Sequence, residues 1–348
     1  MKKIAYIEID THAEIAQAFM NLMKESSEFA VDYYFSKRIR DRVDEDGDNI
    51  FLSDSSMITE QLKTKEYDLV IIGTVHRYFN TFQAVIQKYN TAVIVHNINF
   101  SRSSKWTLLK SIFKADIIYR LKLWWKEGLF YSPKTYQQAK RLLVLDKELS
   151  SEKYVFLPLF YTGLFEKTEN DHLVVVIPGG VSQKRRDYNQ IFKTVQELKT
   201  QEKCEFVFLG KAQDHELKKL EKLAENLPEN VTIRYFSNRV SNENFDREMQ
   251  KADVLWCPIR QKAEFFSNGE TYGVTKMTGN LGDAVRYGKM AVFPENYPSK
   301  LAFIIPEQKD IIRQFSELKK TGFDFQKKYN RNSVLESLEN VLKSLIKQ

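Results

Sequence analysis

Short apolar runs alternate along the chain with stretches of helical spacing. Residues 4–9 form one such run, broken by Glu8 and followed by Asp10. Ile15, Ala18, Phe19, Leu22 and Met23 then recur at i, i+3, i+4, i+7 and i+8, which predicts a helix over 11–24. Strands are predicted at 31–35, 67–73 (YDLVIIG), 91–96 (TAVIVH), 142–145 and 155–157, with a helix at 79–89. The rhythm restarts with strands at 173–177, 205–209, 231–235, 253–258 and 290–293. Helices are predicted between them at 188–198, 214–226, 242–251 and 279–287, with a last one at 333–347. Strands that are continuously apolar rather than alternating belong to a parallel sheet covered on both faces.

The pattern predicts an α/β protein with two Rossmann-like halves in series. Their boundary falls near the polar, aperiodic segment 165–171 (FEKTEND). The expected organisation is an N-terminal Rossmann-like acceptor domain at 1–168, a C-terminal Rossmann-like donor domain at 169–310, and helices at 311–348 packing back toward the first domain. No sequence repeat links the halves; the repetition is architectural. Ligands of such sheets bind beyond the carboxyl ends of the strands, so the residues just after each strand carry the functional information.

Composition narrows this picture only in part. With 348 residues the chain is long enough for two domains, and 13 glycines and 8 prolines leave little room for long linkers. The N-terminus is basic then apolar, but Glu8 and Asp10 interrupt the run, so it reads as a first strand rather than a secretory signal. No window approaches the roughly 20 apolar residues of a membrane span. Cys204 and Cys257 have no metal-ligand or CxxC spacing and read as small buried residues, which fits a reducing cytoplasm. The net charge of +7 points to an anionic partner without choosing it. No nucleic-acid-binding module is recognisable.

Two clusters in the second half have the makings of an anion site. Pro178-Gly179-Gly180 is followed by Lys184-Arg185-Arg186 just before a predicted helix. Cations at a helix N-terminus oppose the helix dipole unless an anion lies between them; the alternative is a solvated basic turn. The run 268–279 (NGETYGVTKMTG) combines glycines, hydroxyls and Lys276 before another helix. Its alternative is a loop with Thr275 or Thr278 as helix cap. Asp283, within that helix, could bond a ribose diol or simply favour the positive helix end.

In the first half, predicted strand ends carry Glu8, Asp10 and His12; His76 and Arg77; and His96 and Asn97. Histidines gathered at the ends of one sheet suggest an acceptor site, with Asp10 or His12 as general base and His96 polarising or positioning the sugar. They read as zinc ligands only weakly, since their spacing is uninformative. The stretch 102–127 holds seven basic and two acidic residues with Trp106, Trp124 and Trp125. Basic residues with tryptophan suit a membrane interface or a lipid-diphosphate acceptor; the alternative is a basic helical hairpin whose tryptophans fill the core.

The chain resembles the GT-B glycosyltransferases, in particular the group 1, family 4-like clan. The resemblance rests on VVVIPGGVSQKRRDY, FVFLGK, VTIRYF with ADVLWCPI, and ETYGVTKMTGNLGDAVRYGKMAVFP. It implies two Rossmann-like domains facing a central cleft and a nucleotide-diphosphate sugar as donor, with no cofactor and no metal. By resemblance, Arg185 or Arg186 and Lys276, with Lys211 as a further candidate, would neutralise the donor diphosphate; the two clusters themselves add Gly180, Thr275 and Thr278 to that site. Asp283, five before Gly288, would hold the ribose, and Glu270 would contact the donor sugar. Asp10, His12 and His96 would be catalytic, and His76, Arg77 and Asn97 would lie on the acceptor side. The sequence departs from the family pattern in three places. Thr275, not a glutamate, stands eight before Asp283; Met290 replaces the proline of the G-x-P element; and Asp10-Thr11-His12 replaces a glycine-rich loop.

The implied activity is transfer of a hexose-type sugar to a glycan or lipid-linked acceptor, in surface polysaccharide or glycoconjugate biosynthesis. The enzyme would be cytoplasmic, with peripheral membrane contact through 102–127 and no nucleic-acid partner. A nucleotide-sugar epimerase and a non-catalytic bilobal binding module are the competing readings.

Overall fold

A parallel strand buried on both faces must be apolar along its length, and the longest such runs in this chain become the centres of two sheets. The computed structural model of the protein describes residues 1–112, 116–165, 168–198 and 200–347. Residues 113–115, 166–167, 199 and 348 lie outside them, and with them parts of the basic stretch and of the polar segment.

The first sheet contains Lys2–Glu8 (β1), Phe29–Phe35 (β2), Ile50–Leu52 (β3), Leu69–Ile72 (β4), Thr91–Ile94 (β5), Arg141–Val144 (β6) and Tyr154–Phe156 (β7). Their spatial order is β3-β2-β1-β4-β5-β6-β7, parallel throughout. The second contains Leu173–Pro178 (β8), Cys204–Lys211 (β9), Val231–Phe236 (β10) and Val254–Trp256 (β11). A separate two-stranded hairpin, Lys262–Phe265 (β12) and Asn268–Thr271 (β13), follows; then Ala291–Phe293 (β14) and Ile304–Pro306 (β15) complete the second sheet. Its order is β10-β9-β8-β11-β14-β15, again parallel. Both sheets thus have the doubly wound Rossmann order. Each reverses direction beside its first strand, between β1 and β4 and between β8 and β11.

The chain divides into two units. The first comprises Met1–Phe160, Glu264–Met277 and Arg331–Gln348; the second comprises Tyr161–Ala263 and Thr278–Asn330. Glu264–Met277 therefore lies outside the donor half to which its position in the sequence assigned it. Phe265, Phe266 and Met277 pack against the first unit's core, with Phe265 edge-on to Phe100 at 4.9 Å. The hairpin turn, Phe266-Ser267, has φ of 48° and 59°. Two-residue turns with both residues left-handed favour Asn-Gly, and a side-chain-bearing residue there costs about 1–3 kcal/mol. Here Phe266 stacks on Phe100 at 5.4 Å, and Ser267 Oγ accepts from buried Arg120 at 2.6 Å. Tertiary contacts thus offset a turn that carries no local signal.

The last helix, Arg331–Ile346, buries Val334, Leu338, Leu342 and Leu345 in the first unit. Arg331 pairs with Glu25 at 2.9 Å and Lys343 with Glu28 at 3.2 Å. No helix among the described residues is long and apolar enough to cross a membrane.

Gly210 fixes the approach of β9 to the loop after β8. A Cβ on it would lie 2.4 Å from the carbonyl carbon and oxygen of Gly179. We expect Gly210→Ala to cost about 1–3 kcal/mol through overpacking and to lower the melting temperature. Gly269→Ala, where an added Cβ meets nothing within 4 Å, should leave it unchanged.

Candidate functional site

The first unit gathers its polar side chains where β1, β4 and β5 end. Glu8 is fully buried. Its Oε1 accepts from the backbone N–H groups of Asp10 (2.9 Å) and Thr11 (3.2 Å), and its Oε2 accepts from Thr74 Oγ1 (2.6 Å). One carboxylate therefore ties the loops after β1 and β4 together across the switch point. A Cβ at Gly73 would lie 2.7 Å from Glu8 Oε2, so glycine makes the room. Burial pushes the Glu8 pKa up, against the hydrogen bond from Thr74.

That loop sets His12 against His96, with ring centroids 3.8 Å apart and planes 16° from parallel. His76 stands edge-on to both, at 6.0 and 5.7 Å. The surroundings assign each ring its proton. Gly73 O can only accept, so His96 donates through Nε2 (2.8 Å). Lys276 Nζ donates to Asn97 Oδ1, which leaves Asn97 Nδ2 to donate to His76 Nε2 (3.1 Å). Burial holds the pKa values of His76 and His96 well below the ordinary value, so both are neutral at pH 7. His12 behaves oppositely. Burial disfavours its charge, but Glu14 Oε1 at 2.7 Å from Nδ1 outweighs that and raises its pKa. Its Nε2 makes no hydrogen bond among the described residues, and when the ring is neutral with Nδ1–H donating to Glu14, Nε2 is an acceptor.

Asp10 lies nearby, 7% exposed, with its pKa raised by burial against the field of Arg77. Its carboxylate makes no hydrogen bond among the described residues. Arg77 is committed to Glu127, Nε to Oε2 at 3.0 Å with a second bond from Nη2 to Oε1. That pair anchors the helix Ile117–Glu127 to the loop after β4. Among the described residues no group of three or more His, Cys, Asp or Glu could hold a metal ion.

Three residues expected to bind the donor belong to this first unit. Glu270, 1% exposed, accepts from the N–H groups of Asn99 (3.3 Å) and Phe100 (2.9 Å). Each of its carboxylate oxygens is taken by a backbone donor. Thr275 Oγ1 accepts from Thr271 N–H (2.8 Å), closing a turn. Lys276 serves Asn97. The shared cause is the hairpin β12–β13, which takes this segment to the first unit.

The second unit has its own strand-end arrangement, centred on Asn280. This residue is 2% exposed. Its Nδ2 donates to Pro178 O at 3.1 Å and to Asp283 Oδ2 at 3.3 Å, and its Oδ1 accepts from Arg186 Nη2 at 3.3 Å. Arg186 Nη1 also reaches Gly180 O (3.3 Å). Gly179, at φ 104°, leaves no space for a side chain, because a Cβ would sit 2.3 Å from Arg186 Nη2. A Cβ at Gly279 would meet nothing within 4 Å, and one at Gly180 only Lys211 O at 3.9 Å. Exposed glycine backbone, a positioned guanidinium and a helix start are thus held together. Thr278 caps the helix Gly279–Tyr287, its side chain accepting from Asn280 N–H at 3.3 Å, so its hydroxyl is the cap. The helix Tyr188–Gln196 has an acid at its start: Asp187 caps it, accepting from Gln190 N–H at 3.3 Å. Arg185 and Lys211 are exposed.

Sequence reasoning missed Asn280, Glu14 and Thr74. Asn280 follows a threonine cap and passes for a helix residue. Glu14 had a visible signal, an acid two residues after His12 at a helix start. Thr74 had none, since its partner lies in a distant strand.

No protein-family model matches the chain, and no curated protein matches it in sequence. Solved structures match it over its whole length. A glycosyltransferase from Rickettsia africae aligns with a TM-score of 0.59 at 8% identity, covering 100% of this chain and 99% of that one. An alpha-glucosyltransferase in complex with UDP gives 0.55 at 10% identity, covering 100% of both chains. The chain has the GT-B fold. A UDP-GlcNAc 2-epimerase from Neisseria meningitidis, bound to UDP-GlcNAc, is also similar, with a TM-score of 0.57 at 11% identity over 99% of this chain and 100% of that one. At such identities the likeness is one of GT-B architecture, and activity must be argued from the sites.

The His12–Glu14 pair has a definite pH signature. His12 has a raised folded pKa, so its contribution to stability is complete below the unfolded value of about 6.5 and fades as pH rises through the folded one. The Glu14 pKa is lowered by His12 despite burial, so its contribution is complete above about 4.3 and fades as pH falls. In an NMR titration His12 should titrate above about 6.5, with His76 and His96 still neutral there. Glu14→Gln should lower the His12 midpoint. An unchanged midpoint would mean that Glu14 does not hold the proton.

Proposed function

We propose that the chain is a glycosyltransferase that moves a hexose-type sugar from a nucleoside-diphosphate sugar to an acceptor hydroxyl. The observation that carries this reading is the Asn280–Arg186–Gly180 arrangement at the switch point of the second sheet. It offers what a diphosphate needs: open glycine backbone, a positioned cation and a helix N-terminus. The solved relatives bound to UDP and UDP-GlcNAc support the same ligand class.

In this reading Arg186, Gly180 and the start of the helix Gly279–Tyr287 receive the diphosphate, and Asp283 receives the ribose. Exposed Arg185 and Lys211 add positive field. The first unit activates the acceptor. His12 Nε2 takes the hydroxyl proton, and Glu14 stabilises the imidazolium that forms. The acceptor oxygen bonds to the anomeric carbon as the carbon–phosphate oxygen bond breaks, and the electron pair leaves with the diphosphate. Stabilising that leaving charge is the main catalytic task of the second unit. His12 suits the role better than Asp10 because its free nitrogen is a lone pair already oriented by Glu14 and by the stack on His96. Neutral His96 and the His76–Asn97–Lys276 chain position the acceptor. Two buried free thiols support a cytoplasmic setting.

Epimerisation is the second reading, favoured by the fold shared with the 2-epimerase. The two separate on donor fate. A transferase releases nucleoside diphosphate in proportion to acceptor; an epimerase converts the nucleotide sugar without one. Calorimetry with UDP, GDP, CDP and ADP tests the donor site first. One nucleotide should bind selectively, and Asn280→Ala and Arg186→Ala should each weaken it about tenfold to a hundredfold, the scale of a hydrogen bond to a charged group. Lys276→Ala, which removes the donor to Asn97, should alter turnover with acceptor. No nucleotide binding by the wild type would overturn the donor assignment.

A further inference from the structure

The helix Ile117–Glu127 buries only Arg120, Leu123 and Glu127, spaced i, i+3 and i+7 on one face. At about 100° per residue, Ile118, Leu121, Lys122 and Trp125 stand on the opposite side. Ile118 and Trp125 are each 87% exposed, and Trp106 on the preceding helix, Lys105–Ile112, is 73% exposed. Trp106 and Trp125 therefore do not fill the core, whereas Trp124 packs edge-on against Phe130 at 5.3 Å. Lys105, Lys110, Lys122 and Lys126 are exposed around them. Isolated exposed hydrophobes are ordinary, but Ile118, Leu121 and Trp125 beside Lys122 on one face of a single helix are the composition of an interfacial helix.

The inward face of this helix is firmly held. Arg120 donates to Ser111 O and Ser267 Oγ, and Glu127 accepts from both Arg77 and the N–H of Tyr78. Polar anchoring on one side and unpartnered apolar side chains on the other give a rigid platform. The Arg77–Glu127 bond connects it directly to the loop that carries His76.

We infer that this face docks on an anionic lipid bilayer, with Trp125, Ile118 and Trp106 entering the interface and the lysines meeting acidic headgroups. Charge complementarity selects this occupant: a second copy of the chain would bring the same lysines against themselves. Resting on the transferase reading, the corollary is that the acceptor is an amphiphile carried in that bilayer, delivered beside the first unit's strand-end site.

Vesicle flotation with the full chain tests the docking without reference to transfer. Vesicles of phosphatidylcholine with about one third phosphatidylglycerol should carry the protein at low salt, and pure phosphatidylcholine vesicles should carry far less, because the lysines contribute only against a charged surface. Trp125→Ser with Ile118→Ser, and separately Lys122→Glu with Lys126→Glu, should each reduce bound protein about tenfold or more. Acyl-brominated lipids should quench the wild-type tryptophan fluorescence, and less so in Trp125→Phe. Circular dichroism melts of the variants should match the wild type, since these side chains are exposed. Absence of flotation with anionic vesicles would overturn the inference. So would self-association abolished by Trp125→Ser in a protein that does not float. Either result leaves nucleotide binding, and with it the transferase reading, to stand or fall separately.

Discussion

A parallel strand covered on both faces has no room for polar side chains along its length, and the central strands β1, β4, β8 and β11 obey this up to their ends. Ile4 to Ile7 of β1 and all of β4 are buried and apolar save the Tyr6 hydroxyl. Chemistry is thereby confined to the loops at the carboxyl ends. Glu8 is the telling case, because it is the last residue of β1 and fully buried. It is tolerated only because two backbone N–H groups and the Thr74 hydroxyl meet both of its oxygens. The same bonds decide where Asp10 and His12 go.

A comparable device operates in the second unit. Asn280 bonds the end of β8 and fixes the guanidinium of Arg186, so that one amide sets the geometry of the glycine loop against the helix start. In each unit a single buried polar side chain bridges the switch point and aligns the groups on either side. Losing it would leave buried partners unpaired, which costs more than the bond itself contributes.

The most consequential departure from expectation concerns Glu270, Thr275 and Lys276. Their sequence context reads as a phosphate-binding loop, yet they pack in the first unit. The Phe266-Ser267 turn that permits this is locally unfavourable, and it is stabilised by Phe100 and Arg120, over 140 residues away in the chain. Lys276 consequently donates to Asn97, which donates to His76, while Arg186 stands at the strand ends of the second unit.

The sequence by itself determined the fold class, the strands at the centre of both sheets and the strand ends where chemistry gathers. It could do so because buried parallel strands and amphipathic helices have strong, local periodicities. It also singled out the histidines, Arg186 and Asp283, which follow strands or open a helix. The three-residue strands β3 and β15 and the hairpin β12–β13 were beyond it, being too short or too polar to show a period. Tertiary structure alone decided which unit owns residues 264–277, which ring nitrogen of His76 and of His96 carries a proton, and that Asn280 links the end of β8 to Arg186. Those outcomes depend on bonds and ring contacts between residues distant in sequence, and no local pattern encodes the energy of a contact whose partner lies on another strand.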